Sequence, residues 1–477
     1  MRSSFSVLAA AGEVPERPAL IDHGVEVSFG RLAERVRGRM EILRRLGLAG
    51  SKAPVAMVGE ATCAALELLY ALIELEVPVA MVHPRLAERD LARWLADTGA
   101  ASVLDPAMVD PVVLDPAALN PEDSAPAAGP PWRQEPKQGD DEQPLAIVRT
   151  SGSSGRPKGV VLSRRAFLAA AEASAENLGW RDDDRWLLSL PIAHVGGLSI
   201  VTRCLAARRA VVVRTLERFD AARVADLVTR DRVTLLSLVP TMLGRLLELE
   251  DYRLPSHVRA ILLGGAGAPP QLLRRAAERE WPVLTTYGLT EACSQVATQR
   301  YGTVNPGGRG CEPVAGMEVR IREGVVEIRG GNLMSGYLPA GDPSPFDADG
   351  WFTTGDLGRL DDQGRLHILG RRDEVIVSGG ENVHPREVEE ALVEHPAIEA
   401  ACVFGVADPR WGEAVAAAVI ASQPVDDIEL VDFLRPRLAG FQRPRRIAWV
   451  ETLVHLPSGK PDRRTTARQV SERLRQL

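Results

Sequence analysis

A layered α/β fold is what this chain predicts, and three observations predict it. Across roughly the first hundred residues, and again from about 145 to 290, short aliphatic runs alternate with longer amphipathic stretches. Such alternation builds a mostly parallel sheet covered by helices on both faces. From Gly302 to Gly370 the pattern turns to short strands broken by glycine-rich turns, which predicts a small barrel or a distorted antiparallel layer. Beyond Gly370 the texture changes again, and the remainder reads as a small α+β unit. The expected division is a large N-terminal domain over residues 1–370, with the barrel-like layer at about 302–370, and a small C-terminal domain over 371–477.

Taken in order, Phe29 to Leu46 has the spacing of an amphipathic helix, Pro54 to Val58 of a strand, Ala61 to Leu75 of a helix and Val77 to Val82 of a strand. Between Asp105 and Pro144 the chain is rich in Pro, Ala, Asp and Glu and too poor in large apolar residues for a core of its own. A short strand at Val112 to Leu114 and a mobile surface connector are expected there. Leu145 to Val148 reads as a strand and Ala166 to Asn177 as a helix. Further strands are expected at Trp186 to Leu190, Ala210 to Val213, Val233 to Val239, Val258 to Leu263 and Val283 to Thr286, with a helix from Gly197 to Ala207. The last unit should contain helix Pro385 to Glu394, strands Ala400 to Gly405 and Ala414 to Ile420, helix Asp427 to Leu438 and strand Arg446 to Val450.

Composition excludes several classes. The chain has 477 residues, 45% apolar and 25% charged, with a formal charge of -7, which argues against a general nucleic-acid binder. No apolar run reaches the roughly 18 residues of a membrane span, and Phe5 to Ala11 is too short for a signal peptide. A cytoplasmic protein without membrane insertion is expected. Five scattered cysteines and eight dispersed histidines show no zinc or disulfide spacing, so reduced, mostly buried thiols are expected.

The most informative stretch runs from Arg149 through Thr150, Ser151, Gly152, Ser153, Ser154, Gly155, Arg156, Pro157 and Lys158 to Gly159. Glycines permit turns and close backbone approach, hydroxyls offer donors, and one lysine offers a compact charge, the ingredients of a phosphate-binding loop. It is not a Walker A loop, because Pro157 precedes the lysine and Gly159 follows it. A polar linker is the bland alternative, but a linker has no reason to stand between a strand and a helix. Lysine is scarce here: Lys52, Lys137, Lys158 and Lys460 are the only four among 57 basic residues. A retained lysine can mark a place where the broad guanidinium does not substitute.

Other segments follow predicted strands and are expected to converge on that loop, since ligands of open α/β sheets sit at the carboxyl ends of strands. Ser189 to Leu198 sets His194 among small and apolar residues, where a satisfied core histidine is the ordinary reading. Gly264-Gly265-Ala266-Gly267-Ala268-Pro269 lacks the dinucleotide fingerprint, and its small residues suit a flat base lying against backbone.

Together with Tyr287-Gly288-Leu289-Thr290-Glu291, Trp351 to Asp356, Gly370 to Asp373, Val375 to Glu389 and Leu456 to Arg463, the loop resembles the signatures of the adenylate-forming enzymes. These are the acyl-CoA synthetases, luciferases and peptide-synthetase adenylation domains, and the resemblance spans nearly the whole chain. It implies that Thr150, Ser151 to Gly155 and Lys158 hold the ATP phosphates, and that Gly264, Gly265 and Ala266 flank the adenine on which Tyr287 stacks beside Gly288. Thr290 would contact the α-phosphate, Glu291 magnesium, Asp356 the ribose diol and Arg371 ribose or phosphate. Lys460 would be the catalytic lysine, Asp373 the hinge of a mobile C-terminal domain, and Gly379 and Gly380 the passage for the pantetheine arm of CoA.

The implied activity is an ATP- and magnesium-dependent, AMP-forming acid-thiol ligase with CoA as co-substrate. For the acid, the runs 191–203, 262–269 and 285–295 look most like the o-succinylbenzoate:CoA ligases, which implies a pocket containing His194, Gly196, Arg203 and Ser294. Another aryl or fatty acid, or loading of a carrier protein in place of CoA, stays open at this point. A homodimer is an allowed assembly.

Overall fold

The computed structural model describes residues 5–100, 102–106, 140–150, 157–213, 219–303, 310–340, 344–455 and 461–477. Its aliphatic runs form two mixed sheets. The larger has nine strands, in the order Glu312–Pro313, Ser294–Thr298, Val283–Leu289, Ala260–Leu263, Leu235–Leu238, Arg185–Leu187, Ala210–Val213, Pro18–Asp22 and Val25–Ser28. Its centre is parallel and its two edges are antiparallel. The second runs Gly336–Leu338, Lys158–Ser163, Pro144–Thr150, Val79–Val82, Val55–Val58 and Val103–Leu104.

Strands Ala210–Val213, Leu235–Leu238 and Ala260–Leu263 are buried at every position, as expected where helices cover both faces. Helix Cys63–Glu74 is buried continuously from Ala65 to Ile73, and helix Val195–Ala207 from Gly197 to Leu205. Both belong to one hydrophobic core that also takes in Leu145 and Val160 of the second sheet and Val211 and Leu262 of the first. An all-round apolar helix has no solvent face to offer, so it must lie inside.

Strands Met317–Arg322, Val325–Gly330, Phe352–Leu360 and Leu366–Arg371 form a third, antiparallel layer with register shifts in two of its pairings. A fourth sheet contains Ile376–Ser378, Glu381–Val383, Ile398–Asp408, Gly412–Ala421, Arg446–Trp449 and Arg475–Gln476. It carries helices Pro385–Val393, Asp427–Leu434 and Arg463–Val470 and has a core of its own, with Leu392, Val403, Val415 and Ile447.

One expected boundary is corrected, and two elements stand where none was expected. Between the phosphate-loop segment and the expected helix stands a strand that was not expected, Lys158–Ser163, antiparallel to Pro144–Thr150; the helix itself is present and runs from Arg164 to Leu178. Lysine and glycine open that strand and disguise it. Strand Val283–Leu289 runs through Tyr287, which is therefore not on a loop. Helix Arg463–Val470 is polar throughout most of its length and gives no apolar period, yet Asp462 caps it by accepting from the Thr465 N–H. The expected strand Val112 to Leu114 lies outside the described residues. All five cysteines are free, and four of them are buried.

Candidate active site

Strand ends from both mixed sheets, the antiparallel layer and the C-terminal unit line one cleft of about 2270 Å³. Sites for a single drug-sized ligand run to roughly 1,000 Å³, so this one has room for a nucleotide and a second molecule together. Thr150 and Lys158 enter it from directly paired positions of the antiparallel hairpin. Ser151, Gly152, Ser153, Ser154 and Gly155 lie outside the described residues.

On one side of the cleft, Gly264, Gly265 and Ala266 follow strand Ala260–Leu263, and Tyr287 comes from the neighbouring strand. The Tyr287 hydroxyl donates to Asp356 Oδ2 at 2.6 Å, Arg371 Nη1 donates to Asp356 Oδ1 at 3.3 Å, and Arg371 Nε donates to Asp373 at 3.1 Å. Burial, reinforced by Asp356, raises the Tyr287 phenol well above its ordinary value, so it stays a neutral donor. Gly288 has no choice of residue: a Cβ there would stand 1.6 Å from the Ser294 carbonyl oxygen. The chain reverses between them through Thr290–Ala292, and Cys293 and Ser294 take φ of 50° and 99°.

That reversal projects Glu291 toward the hairpin. The Tyr337 hydroxyl donates to Glu291 Oε1 at 2.9 Å, and the Lys158 ammonium stands 4.8 Å from the centre of the Tyr337 ring. Tyr337 was not singled out from sequence; an aromatic residue in a three-residue strand gives no distinctive signal. No group of three or more metal-ligating side chains occurs among the described residues. A magnesium ion here would be held by the Glu291 carboxylate and by phosphate oxygens, the mixed set this hard cation favours, and the residues present fit it.

Opposite lies a different chemistry. His194 stands at the N-terminus of helix Val195–Ala207, beside Gly196, with its ring 5.2 Å from that of His83, and both rings line the cleft. Burial, with a smaller contribution from His83, lowers His194 to about 4, so it is an uncharged imidazole at neutral pH. His83 Nδ1 accepts from the Arg85 N–H, which leaves Nε2 as the protonated nitrogen. Two turns of helix further, Arg203 is 3% exposed and 5.8 Å from the Trp186 ring, and neither its Nε nor its Nη2 has a hydrogen-bond partner among the described residues. Burial lowers it to about 10, which still leaves a cation at neutral pH. Arg203 is thus an interior residue and not a surface arginine. Gln295, whose buried side-chain oxygen likewise has no partner among the described residues, lines the same cleft, as does Ser294.

The chain matches the family model described as AMP-binding enzyme over residues 7–338, and that of the AMP-binding enzyme C-terminal domain over residues 387–460. It belongs to the AMP-binding enzyme family. A curated 2-succinylbenzoate–CoA ligase of Bacillus pumilus is 32% identical, over 97% of this chain and 97% of its own. The o-succinylbenzoate CoA synthetase of Bacillus subtilis in complex with its acyl-adenylate intermediate is 30% identical and superposes with a TM-score of 0.82, covering 96% of each chain. A double mutant of the same protein, bound to a product analogue, covers 96% of this chain and 97% of its own at 30% identity but superposes at only 0.66.

In this AMP-binding enzyme the C-terminal unit turns a particular face to the cleft. His455 and Pro461, bridged to each other, line it and bracket residues 456–460, so Lys460 itself lies outside the described residues. Arg463, just beyond, pairs with Glu389 and Glu374. Asp373 lines the cleft as well, whereas Gly379 and Gly380 do not. They form the two-residue turn between Ile376–Ser378 and Glu381–Val383, with φ of 63° and 86°. Positive φ at both central residues is what such a hairpin turn demands.

Proposed function

We propose that the enzyme adenylates o-succinylbenzoate with ATP and transfers the acyl group to CoA, releasing pyrophosphate and AMP. The observation that carries the choice of acid is Arg203. A buried guanidinium with two nitrogens unpartnered among the described residues is suited to an anion, and o-succinylbenzoate keeps a ring carboxylate after its succinyl carboxylate has reacted. The curated relatives point to the same acid.

In the proposed first step a carboxylate oxygen attacks the α-phosphorus, forming the acyl-phosphate bond as the bond to pyrophosphate breaks. Thr290 and Lys460 donate to the phosphoryl oxygens as charge grows there, while Lys158 and the loop from Thr150 to Gly155 hold the departing phosphates. Asp356 takes the ribose hydroxyls, with Arg371 beside it. Magnesium, when bound at Glu291, neutralises phosphate charge. In the second step the CoA thiolate attacks the acyl carbon and AMP leaves. His194, uncharged at neutral pH, walls the acid without competing with Arg203 for its charge.

His455 and Pro461, the described residues that bracket the lysine segment, line the cleft, and the glycine hairpin does not. The proposal therefore includes rotation of residues 371–477 against 1–370 about Asp373 between the steps. The drop in superposition from 0.82 to 0.66 between two states of one relative supports such a change. A cytoplasmic setting belongs to this reading, and no helix among the described residues is long and apolar enough to cross a membrane.

The test is ATP–pyrophosphate exchange over a panel of o-succinylbenzoate, benzoate, cinnamate and fatty acids, followed by thioester formation with CoA or a carrier protein. Exchange with o-succinylbenzoate and transfer to CoA are expected. Preference for a monocarboxylic acid would overturn the substrate, and transfer only to a carrier protein would overturn the acceptor.

A further inference from the structure

Arg386 touches two parts of the molecule that its own unit does not contain. It is the second residue of helix Pro385–Val393, and Glu390, one turn on, holds its Nε at 2.8 Å. Its Nη1 donates to the Ile368 carbonyl, in the last strand of the antiparallel layer, at 3.3 Å. The flat guanidinium also lies on Gly267, in the loop that follows strand Ala260–Leu263 and lines the nucleotide side of the cleft. A Cβ on Gly267 would come within 3.0 Å of Arg386 Cζ, 3.2 Å of Nε and 3.3 Å of Nη1, and these are the three nearest atoms. Gly267 does not have positive φ, so its backbone does not demand glycine. What the missing side chain provides is space for the guanidinium.

We infer that Arg386 is a positioning residue that docks the C-terminal unit in the adenylate-forming arrangement, with Gly267 as its bare seat. The inference rests on the two-arrangement reading above. Ile368 and Gly267 lie before Asp373 in the chain and Arg386 lies after it, so rotation about Asp373 carries the guanidinium away from both. A contact present in one arrangement only biases the equilibrium toward that arrangement by its own free energy. In this arrangement His455 and Pro461 face the cleft, so the bias falls on the first half-reaction.

The test measures the two half-reactions separately in the full-length enzyme: single-turnover adenylate formation from ATP and acid, and single-turnover CoA transfer from supplied acyl-adenylate. The acid is the best one found in the panel above, so a wrong substrate assignment would already have shown itself in the parent enzyme. Arg386→Ala is expected to slow adenylate formation about 10-fold, the scale of one part-exposed charged hydrogen bond, and to leave CoA transfer unchanged or faster. Gly267→Ala is expected to have the same effect in the parent, because a methyl group there displaces the end of a flexible side chain rather than the fold. In the Arg386→Ala background it should add nothing. Arg386→Lys, which keeps the charge but loses the planar fork, should recover only part of the rate. Equal slowing of both half-reactions by Arg386→Ala, or independent additive losses from Gly267→Ala, would overturn the inference.

Discussion

Arg203 keeps its charge in an interior that gives it an aromatic ring but, among the described residues, no partner for two of its nitrogens. Proteins rarely leave a buried cation so, since an uncompensated charge costs on the order of several kcal/mol. A ligand that completes the pair recovers that cost, which is why the residue argues for a dicarboxylic acid. Arg203→Met should raise KM for o-succinylbenzoate by about 10- to 100-fold, the loss of one charged hydrogen bond, while KM for ATP hardly moves. Steady-state kinetics with each substrate varied in turn checks this, and an unchanged KM for the acid would exclude Arg203 as the receiver. Sequence alone could not decide the point. Removing four lysines from 57 basic residues leaves 53 arginines, and helical spacing does not tell which of them other elements cover. His83 and Tyr337 escaped notice for the same reason, since their importance lies in contacts to His194 and Glu291, more than 40 residues away in the chain.

At the scale of elements, the hairpin from Val283–Leu289 into Ser294–Thr298 is the piece that fixes Tyr287, Thr290 and Glu291 relative to one another. Its weak point is Gly288, whose pro-chiral hydrogen faces the Ser294 carbonyl. Gly288→Ala demands more than a small adjustment: at 1.6 Å the methyl carbon and the oxygen overlap, and the obstacle is backbone on a neighbouring strand, with Ser294 already at a φ of 99°. The hairpin must open, at a cost of about 3 kcal/mol or more. A lowered Tm and weakened ATP binding together are expected; a variant with parental Tm and nucleotide affinity would show that the reversal is more pliant than its geometry. This element stood out in the sequence because Tyr287 to Glu291 is contiguous. Its extent was not, because glycine at 288 reads as the end of a strand when it is a point of close approach within one. The same confusion hid strand Lys158–Ser163, whose first two residues are lysine and glycine. Long apolar periods suffered less: helix Phe29–Arg45 begins where its spacing begins, with Ser28 capping the Arg31 N–H, and ends one residue short of the expected boundary.

On the scale of the whole molecule, the proposed mechanism runs two chemistries through one cleft in turn, with a different part of the C-terminal unit at the cleft for each. His455 and Pro461 line the cleft; the Gly379–Gly380 turn does not. The two parts should therefore be separable by mutation. Lys460→Ala is expected to abolish adenylate formation and leave CoA transfer from supplied acyl-adenylate largely intact. Gly380→Leu should do the reverse, sparing pyrophosphate exchange and blocking the thioester. That second variant needs a control, because Gly380 has a φ of 86° and any L side chain there strains the turn, by about 1 to 2 kcal/mol. Gly380→Ala supplies it: the backbone strain is the same, and among the described residues no atom lies within 4 Å of the added methyl, so alanine adds no collision with them in this arrangement. If alanine transfers to CoA normally and leucine does not, bulk in a passage is the cause. If the two fail alike, the glycine serves the hairpin turn and the pantetheine passage lies elsewhere. Loss of both half-reactions in folded Lys460→Ala would remove the rotation itself, since a residue needed at every step gives no reason for the unit to move.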